Sequence, residues 1–386
     1  MYHKVTRLGK WKNGTPAGPV ALDLNPTYRC NLECKFCEGS LRGTTREGKD
    51  QLTTGRCLQI IDDAADMGVR QVHLSGDGEP LCRKEAILPL MQHIKKRGLR
   101  GQLTTNGTLL SGMVPGLVGI RWDAVFISLE GPDSRTHDYL CGVQGSYDRI
   151  CSALLKLCRY PRWKRPALGI NTVVNRHNCS KLAEMILLGA KYGADSVNFE
   201  PLVANPNTGR LALDDDDKDR LPEEIDAAIV AAHHQRITTN VSFLSRHASA
   251  RPSSGRHDPE NIETGPDRQA HGFSDYYCYQ PWHKMVVRPD GSVQPCCNIY
   301  DPDADNILAK SLKDIWYGPY FSKMRLQISQ NRKHSDCAKC SLWIQDENRR
   351  LRVLLSKGRF HQVAELGQSV AAFGVGRALH RIWGRA

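Results

Sequence analysis

The chain has 386 residues, a hydrophobic fraction of 40% and a formal net charge of +12. This length and composition suit one large domain plus a smaller one with a buried core, which excludes a disordered chain and a small disulfide-stapled scaffold. No apolar run approaches the ~18 residues that a membrane span needs, and the amino terminus lacks a secretory signal, so the fourteen cysteines predict metal ligation in a reducing cytoplasm.

The first predicted strand, Val20 to Leu24, leads into a loop that carries three cysteines, Cys30, Cys34 and Cys37. A [4Fe–4S] cluster takes one thiolate per iron, so three ligands on one loop leave one iron open to bind a small molecule. Zinc is an alternative, but a structural zinc site prefers four ligands in paired spacings, and the next histidine, His73, is distant. Disulfides would need a secreted setting. The loop therefore favours an iron–sulfur cluster that binds a cofactor.

Strand-like and helix-like segments then alternate with short connections as far as residue 200. This pattern predicts six β/α units and a parallel sheet, with ligands at the carboxyl ends of its strands. After the first, the predicted strands are Val72 to Leu74, Gln102 to Thr105, Ala124 to Glu130, Leu168 to Val174 and Ser196 to Glu200. The predicted helices include Thr53 to Met67, Leu88 to Arg97, Tyr147 to Leu157 and Lys181 to Tyr192.

The Cys-x3-Cys-x2-Cys loop, with an aromatic residue before its last cysteine, resembles that of the radical S-adenosylmethionine (radical SAM) enzymes. The six units resemble their partial (β/α)6 barrel, so the resemblance covers roughly residues 18–205. It implies an α/β fold and a [4Fe–4S] cluster on Cys30, Cys34 and Cys37 whose open iron chelates S-adenosylmethionine. It also implies an external electron donor such as flavodoxin or ferredoxin.

The same resemblance implies which residues contact S-adenosylmethionine. The turn Gly76-Asp77-Gly78-Glu79-Pro80 resembles the family's Gly-Gly-Glu-Pro turn, with Asp77 in place of the first glycine. Phe36 stands where the family commonly sets an aromatic residue beside the adenine, and ordinary loop packing is the alternative. Further contacts are implied at strand ends, where capping or turn formation is the alternative: Thr105, Asn106, Ser128 and Asn171.

A second set of cysteines follows the predicted barrel: Cys278, Cys296, Cys337 and Cys340. Their order, Cys-x12-Gly-x4-Cys and then Cys-x2-Cys, resembles the SPASM and twitch extensions of radical SAM enzymes, which carry auxiliary clusters. Four thiolates would complete one auxiliary [4Fe–4S] cluster. Zinc is the alternative, since four cysteines that end in Cys-x2-Cys are also a zinc pattern.

One auxiliary cluster is expected rather than two. A full SPASM segment would continue from the Cys-x2-Cys pair with two more cysteines, but Asp346 and Arg350 occupy those positions. The ligand spacing fits Cys296 better than its neighbour Cys297. The alternative roles for Cys297 are a swapped ligand, a buried neighbour or a redox-active thiol.

The remaining segments are less patterned. An acidic run at residues 214–217 predicts a solvated helix entry, with Asp219 as the N-cap of a helix from Leu221 to Gln235. Residues 245–272 have too few apolar side chains to form a core. The expected divisions are an N-terminal extension (1–17), the barrel (18–205), a linker or insertion, partly disordered (206–272), the auxiliary-cluster domain (273–348) and a basic tail (349–386).

The basic tail holds eight Lys or Arg residues against one acidic residue, Glu365, so it carries much of the net charge. Its amphipathic segment from Ser369 to Trp383 predicts a helix that packs on the protein's own core. Docking on an acidic partner or a membrane surface is the alternative. Because the basic residues cluster at one end and follow no groove, a non-catalytic metal-binding nucleic-acid module is the remote alternative.

The resemblance implies that cleavage of S-adenosylmethionine yields a 5′-deoxyadenosyl radical that removes a hydrogen atom from the substrate. Few residues precede Val20, too few for the leader-binding domain of many peptide-modifying members. We therefore expect a small-molecule substrate, such as a sugar or aminocyclitol, that is dehydrogenated. A peptide maturase and a radical epimerase are the alternatives. The epimerase needs a thiol hydrogen donor, for which Cys82, Cys141 and Cys297 are the spare cysteines nearest to the loops.

Overall fold

The computed structural model describes residues 1–37, 52–203, 208–245 and 272–356. Within these ranges one sheet runs through the molecule in the order β7-β6-β5-β4-β3-β2-β1-β8-β9, parallel except for the β8–β9 pair. Its strands are β1 (Ala21–Leu24), β2 (Gln71–Leu74), β3 (Arg100–Thr105), β4 (Ala124–Ser128), β5 (Ala167–Val174), β6 (Ser196–Pro201), β7 (Thr238–Thr239), β8 (Lys284–Val287) and β9 (Val293–Gln294). Strands β1 to β6 confirm the predicted α/β class with its six sequential β/α units.

One helix precedes the first strand, and the others lie between the strands and after them. They are α1 (Tyr2–Lys12), α2 (Thr54–Asp66), α3 (Lys84–Lys96), α4 (Val114–Gly119), α5 (Ser134–Cys141), α6 (Ser146–Cys158), α7 (Leu182–Lys191), α8 (Asp215–Gln235), α9 (Gln280–His283), α10 (Leu312–Tyr317), α11 (Pro319–Ser329) and α12 (Leu342–Ser356). In α2, Thr53 caps the first turn by accepting from Arg56 N, and buried residues recur at Cys57, Ile60, Ile61 and Ala64. That helical spacing directs one face of α2 into the core.

The two faces of the sheet differ in chemistry. On β2, Val72 and Leu74 are fully buried in the main hydrophobic core, whereas the alternating residues Gln71 and His73 are half-buried. His73 Nε2 lies 2.8 Å from the hydroxyl of Thr104 on the neighbouring strand β3. Because side chains alternate across a strand, the face opposite the apolar one is polar.

The sheet continues past residue 205, where the strand pattern of the sequence ended the barrel. Helix α8 buries Leu221 and Ile225 in the main core, and β7 then pairs in parallel with β6. The acidic run begins this helix as predicted. Its N-cap is Asp214 rather than the expected Asp219, because Asp214 and Asp217 form a reciprocal capping box.

The carboxy-terminal extension is built onto the other edge of the barrel. Strand β8 pairs in parallel with β1, and the hairpin to β9 turns at Gly291, whose φ of +87° suits glycine. Trp316 of α10 donates from its indole nitrogen to the carbonyl of Ala17, 2.9 Å away, just before β1. A second apolar cluster joins α1 to α12 through Leu8 and Leu351.

Among the described helices, none is both long and apolar enough to cross a membrane. Helix α12 includes the start of the basic tail and ends at Ser356. The segment from Ser369 to Trp383, predicted as an amphipathic helix, lies outside the described residues.

Candidate functional site

The two loops expected to bind the cofactor lie at the carboxyl ends of the adjacent strands β1 and β2. The backbone nitrogen of Glu79 donates to the carbonyl of Arg29 at 2.8 Å, which fixes the turn against the chain just before Cys30. A Cβ on Gly78 would lie 2.5 Å from the Arg29 carbonyl oxygen. This close backbone approach explains why the second glycine of the turn is retained.

The cysteine loop is held on its other side by the end of helix α5. Glu33 N donates to the carbonyl of Cys141 (3.0 Å) and Lys35 N to that of Leu140 (2.9 Å). Cys141, a hydrogen-donor candidate, thereby lies beside Cys34. Its contact with the Cys34 thiol and its burial raise the pKa of Cys141.

The side chain of Glu79 accepts three hydrogen bonds that hold the turn in place. Its buried carboxylate accepts from Leu81 N (2.9 Å), from the hydroxyl of Thr105 (2.7 Å) and from Asn106 N (2.6 Å). Burial raises the pKa of Glu79, and the three hydrogen bonds oppose that rise. The structure thus brings three predicted residues together, with Glu79 and Thr105 tying the turn to the end of β3.

Asn106 extends this network to the cysteines. Its side-chain nitrogen lies 3.9 Å from Cys30 Sγ and 2.9 Å from the side-chain oxygen of Asn31. Asn31 in turn donates to the Thr108 hydroxyl at 2.8 Å, and Cys82 Sγ lies 3.7 Å from Asn31 Oδ1. Sequence reasoning missed Asn31, although its position directly after Cys30 is the available signal.

Three other predicted cofactor residues lie apart from this network. Ser128 and Asn171 are partners across β4 and β5, and Asn171 Oδ1 accepts from Asn198 on β6 at 3.0 Å. Phe36 is half-buried in the cysteine loop. Among the described residues, no hydrogen bond joins Asn171 to the group around Glu79.

The three loop cysteines are the candidate ligands of the first iron–sulfur cluster. All are half-buried, and burial, with smaller contributions from the charges of Glu79, Cys34 and Cys37, raises the pKa of Cys30 to about 12. A bound metal is what holds such a thiol deprotonated. No three His, Cys, Asp or Glu of the described ranges converge on a single metal ion, whereas a cluster places each thiolate on a different iron.

Three of the four predicted auxiliary ligands lie within electrostatic reach of one another. Burial is the main cause of the raised pKa of Cys278, and the charges of Cys340 and Cys337 add to it. Cys337 and Cys340 lie at the short helical turn before α12. Gln280 N, 3.4 Å from Cys278 Sγ, donates to that sulfur.

The adjacent cysteines 296 and 297 have different surroundings. Contact with the Cys296 thiol, followed by burial, raises the pKa of Cys297. The charge of Cys297 in turn contributes to the raised pKa of Cys340, about 12, after burial and Cys337. Cys296 packs against the main hydrophobic core. Spacing therefore favours Cys296, while the structure places Cys297 within electrostatic reach of Cys340.

The sequence analysis also missed buried charges on the polar face. Lys284 on β8 donates to Asp23 on β1 at 2.6 Å, and both side chains are under 10% exposed. Glu200, at the end of β6, has one buried carboxylate oxygen that lacks a hydrogen-bond partner among the described residues. Burial raises its pKa to about 7. The signal for Asp23 is a charged residue between two leucines of a strand.

Two family models match the chain: "Radical SAM superfamily" over residues 24–186, and SPASM, "Iron-sulfur cluster-binding domain", over residues 278–341. The chain therefore carries a radical SAM domain and a SPASM domain, which imply [4Fe–4S] clusters and S-adenosylmethionine as cofactors.

Among curated proteins, it is similar to the PqqA peptide cyclase of Xanthomonas campestris pv. campestris (strain 8004), at 29% identity over 325 residues, which are 80% of this chain and 76% of the relative. The PqqA peptide cyclase of Streptomyces rochei is 29% identical over 317 residues, 79% of this chain and 76% of the relative.

Solved structures share the fold. Streptococcus suis SuiB bound to S-adenosylmethionine superposes with a TM-score of 0.59 at 21% identity, covering 86% of this chain and 73% of SuiB. Native anSMEcpe with bound AdoMet gives a TM-score of 0.59 at 16% identity, covering 85% of this chain and 88% of that one.

Proposed function

We propose that this radical SAM enzyme modifies a peptide by closing a ring through a new bond within it. The observation that carries the proposal is the similarity to PqqA peptide cyclases, which extends over 80% of the chain. A relative that matched only the barrel would share the cofactor chemistry, whereas a match of this extent supports a shared substrate class.

The peptide substrate takes the place of the sugar or aminocyclitol that the sequence analysis favoured. That expectation depended on the short segment before Val20. The length of this segment is weaker support than similarity along four-fifths of the chain to proteins named for a peptide substrate. The alternative named in the sequence analysis, a peptide maturase, is therefore the better supported function.

In this proposal Cys30, Cys34 and Cys37 hold the cluster that binds S-adenosylmethionine. Cys278, Cys337, Cys340 and one thiol of the pair at 296 and 297 hold the auxiliary cluster. The half-buried thiols of both groups and their mutual electrostatic influence fit these assignments. When bound, the first cluster and S-adenosylmethionine would supply a 5′-deoxyadenosyl radical that takes one hydrogen atom from an unactivated carbon. The second hydrogen would leave as a proton to solvent, and its electron would pass to the auxiliary cluster.

The chain's own residues position that chemistry. Glu79 holds the turn rigid through its three hydrogen bonds, so the turn's backbone groups are fixed before the cofactor binds. Asn106 and Asn31 fix the approach to Cys30. The polar face with His73 and Asn198 provides hydrogen-bonding groups for a peptide backbone.

The test compares substrates on anaerobically reconstituted full-length protein with S-adenosylmethionine and dithionite. A synthetic PqqA precursor peptide is expected to increase 5′-deoxyadenosine formation and to give a product lighter by the mass of two hydrogens. A panel of sugars and aminocyclitols should do neither. Stimulation by a sugar or cyclitol, with none by peptide, would overturn the proposal. The variant with Cys30, Cys34 and Cys37 all changed to alanine is the control for cleavage unrelated to the radical reaction.

A further inference from the structure

Three side chains, Asp77, Arg288 and the half-buried Tyr300, form a cluster that we name the clasp. Asp77 Oδ1 accepts from Arg288 Nη1 at 2.6 Å and from the Tyr300 hydroxyl at 2.5 Å. The Arg288 and Asp77 side chains are only 2% and 5% exposed, and the guanidinium lies 3.6 Å from the centre of the Tyr300 ring. A charged pair this buried is held in place because separating it would leave a charge without a partner.

The clasp belongs to both sites. Asp77 is part of the cofactor turn, whereas Arg288 follows β8 at the start of the hairpin. The second amino group of Arg288, Nη2, donates to the carbonyls of Cys297 and Ile299, each at 2.9 Å. A guanidinium holds its donors in one rigid plane, so these three acceptors are fixed relative to one another. The cofactor turn and the loop with the adjacent cysteines 296 and 297 therefore share one anchor.

The turn side of the clasp is equally constrained. Asp77 Oδ2 accepts from the side chain of Asn25 at 3.1 Å. The next residue, Gly78, leaves no room for movement toward Arg29. Asp77 has no left-handed backbone angle, so an aspartate is tolerated at the position where the family's turn has glycine. The side chain that departs from the family's pattern is thus the one that reaches the auxiliary loop.

We propose that the clasp couples S-adenosylmethionine binding to occupancy of the auxiliary site. A filled auxiliary site fixes the loop at Cys297, the loop fixes Arg288, and Arg288 fixes the turn through Asp77. Such coupling is reciprocal, since each site must change the affinity of the other by the same factor. The inference rests on the ligand assignments proposed above and is independent of the substrate.

The first test is a cycle of dissociation constants for S-adenosylmethionine, measured by equilibrium dialysis on reconstituted full-length protein. The Cys337→Ala/Cys340→Ala change is made in the wild type and in Asp77→Asn. In the wild type it should weaken binding about fivefold or more, the lower end of typical couplings. In Asp77→Asn it should weaken binding less than about twofold, because the connection is already broken. An equal effect in both backgrounds, or none in the wild type, overturns the proposal.

The second test is hydrogen exchange of the full-length protein without iron. It measures how well the clasp protects nearby backbone amides, independently of cluster loading. Asp77→Asn should speed exchange of the amides in residues 296–300. The smaller change Tyr300→Phe should act in the same direction, which keeps the test valid if Asp77→Asn folds poorly. Unchanged exchange of these amides in both variants would overturn the proposal that the clasp anchors this loop.

Asp123→Asn is the matched control for both tests. Asp123 accepts from Lys95 in an ion pair of the same length, 2.6 Å, at the opposite end of the strands. It should behave as wild type in the binding cycle and in the exchange experiment. Iron content, measured on the same samples, reports separately on the ligand assignments, so a wrong assignment and an inactive clasp give different results.

Discussion

Lys284 and Asp23 form a buried ion pair, 2.6 Å long, between the first strand of the carboxy-terminal extension and the first strand of the barrel. His73 lies on the other side of Asp23, with 3.8 Å between its Nδ1 and the carboxylate. Polar side chains thus lie together across three neighbouring strands on the polar face. Because β8 also pairs with β1 along its backbone, the extension and the barrel form one sheet.

Removing one partner of this pair should destabilise the protein strongly. Asp23→Ala leaves Lys284 buried and unpaired, so we expect a loss of about 3–5 kcal/mol in the free energy of unfolding. The double change Asp23→Leu/Lys284→Met should cost much less, because no charge remains buried. Urea unfolding of iron-free protein measures both. The control is Lys95→Ala, in the half-exposed pair with Asp123, which should cost no more than about 1 kcal/mol. If Asp23→Ala cost no more than this control, the buried pair would not have the role assigned to it.

Stability should depend on pH through Glu130. Burial raises the pKa of Glu130 from its ordinary 4.5 to about 8. The folded state therefore keeps the proton that the unfolded state releases, and this contribution to stability, complete below pH 4.5, is lost as pH rises to about 8. Between these two pH values, the free energy of unfolding of Glu130→Gln should rise relative to that of wild type, by up to about 1.4 kcal/mol per pH unit. Unfolding curves across the window check this, with the exposed Glu223→Gln as a control that should show no trend.

Iron content tests both cysteine sets. Reconstituted wild type should hold about eight irons per chain, from two four-iron clusters. Changing Cys30, Cys34 and Cys37 to alanine should leave about four, and so should Cys337→Ala/Cys340→Ala. Metal analysis and the visible absorption of anaerobic protein give the counts. A full iron load in either variant, or zinc in the wild type, would refute the two-cluster assignment.

Gly78 should be intolerant of any side chain. An added Cβ would lie 2.5 Å from the Arg29 carbonyl oxygen, so Gly78→Ala must shift the turn away from the cysteine loop. We expect cleavage of S-adenosylmethionine to fall about a hundredfold, the cost of a displacement near 1 Å. Gly76→Ala is the milder comparison, since the nearest atoms to its Cβ would be Cβ, Cγ and Cα of Asn25, at 3.2, 3.4 and 3.6 Å. Similar 5′-deoxyadenosine yields from both variants would be incompatible with this explanation.

The isotope content of the product separates bond formation from epimerisation. Closing a ring by a bond between two atoms that each lose a hydrogen gives a product lighter by two hydrogens in water and in deuterium oxide alike. If Cys82, Cys141 or Cys297 returned a hydrogen atom, the mass would be unchanged in water and would rise by one deuterium in deuterium oxide, because a thiol exchanges its proton with solvent. Mass spectrometry of the product distinguishes the two, and solvent deuterium in an otherwise unshifted product would favour the epimerase.

The sequence predicted much of this protein because its strongest signals are local. Alternating β/α segments gave the six strands in the right order, since strand and helix periodicities depend on neighbouring residues. The spacing of Cys30, Cys34 and Cys37 indicated the radical SAM class. Glu79, Thr105 and Asn106 were each predicted as cofactor contacts, which stays a prediction, and the structure adds the hydrogen bonds that Thr105 and Asn106 donate to Glu79.

Other features depended on contacts between distant parts of the chain. The pairing of β8 with β1 joins strands more than 250 residues apart in the chain, and nothing in either segment specifies the other. The same holds for Asp77, which the sequence marked only as a departure from the family's turn. Its partners, Arg288 and Tyr300, lie more than 200 residues away.

The sequence by itself determined the class of chemistry, because cluster ligation needs particular residue types at short, fixed spacings. Only the tertiary structure decided how the two cysteine sets are connected. A buried charge such as Arg288 takes whichever partners the packing of distant strands brings to it, and that packing depends on the whole fold rather than on local spacing.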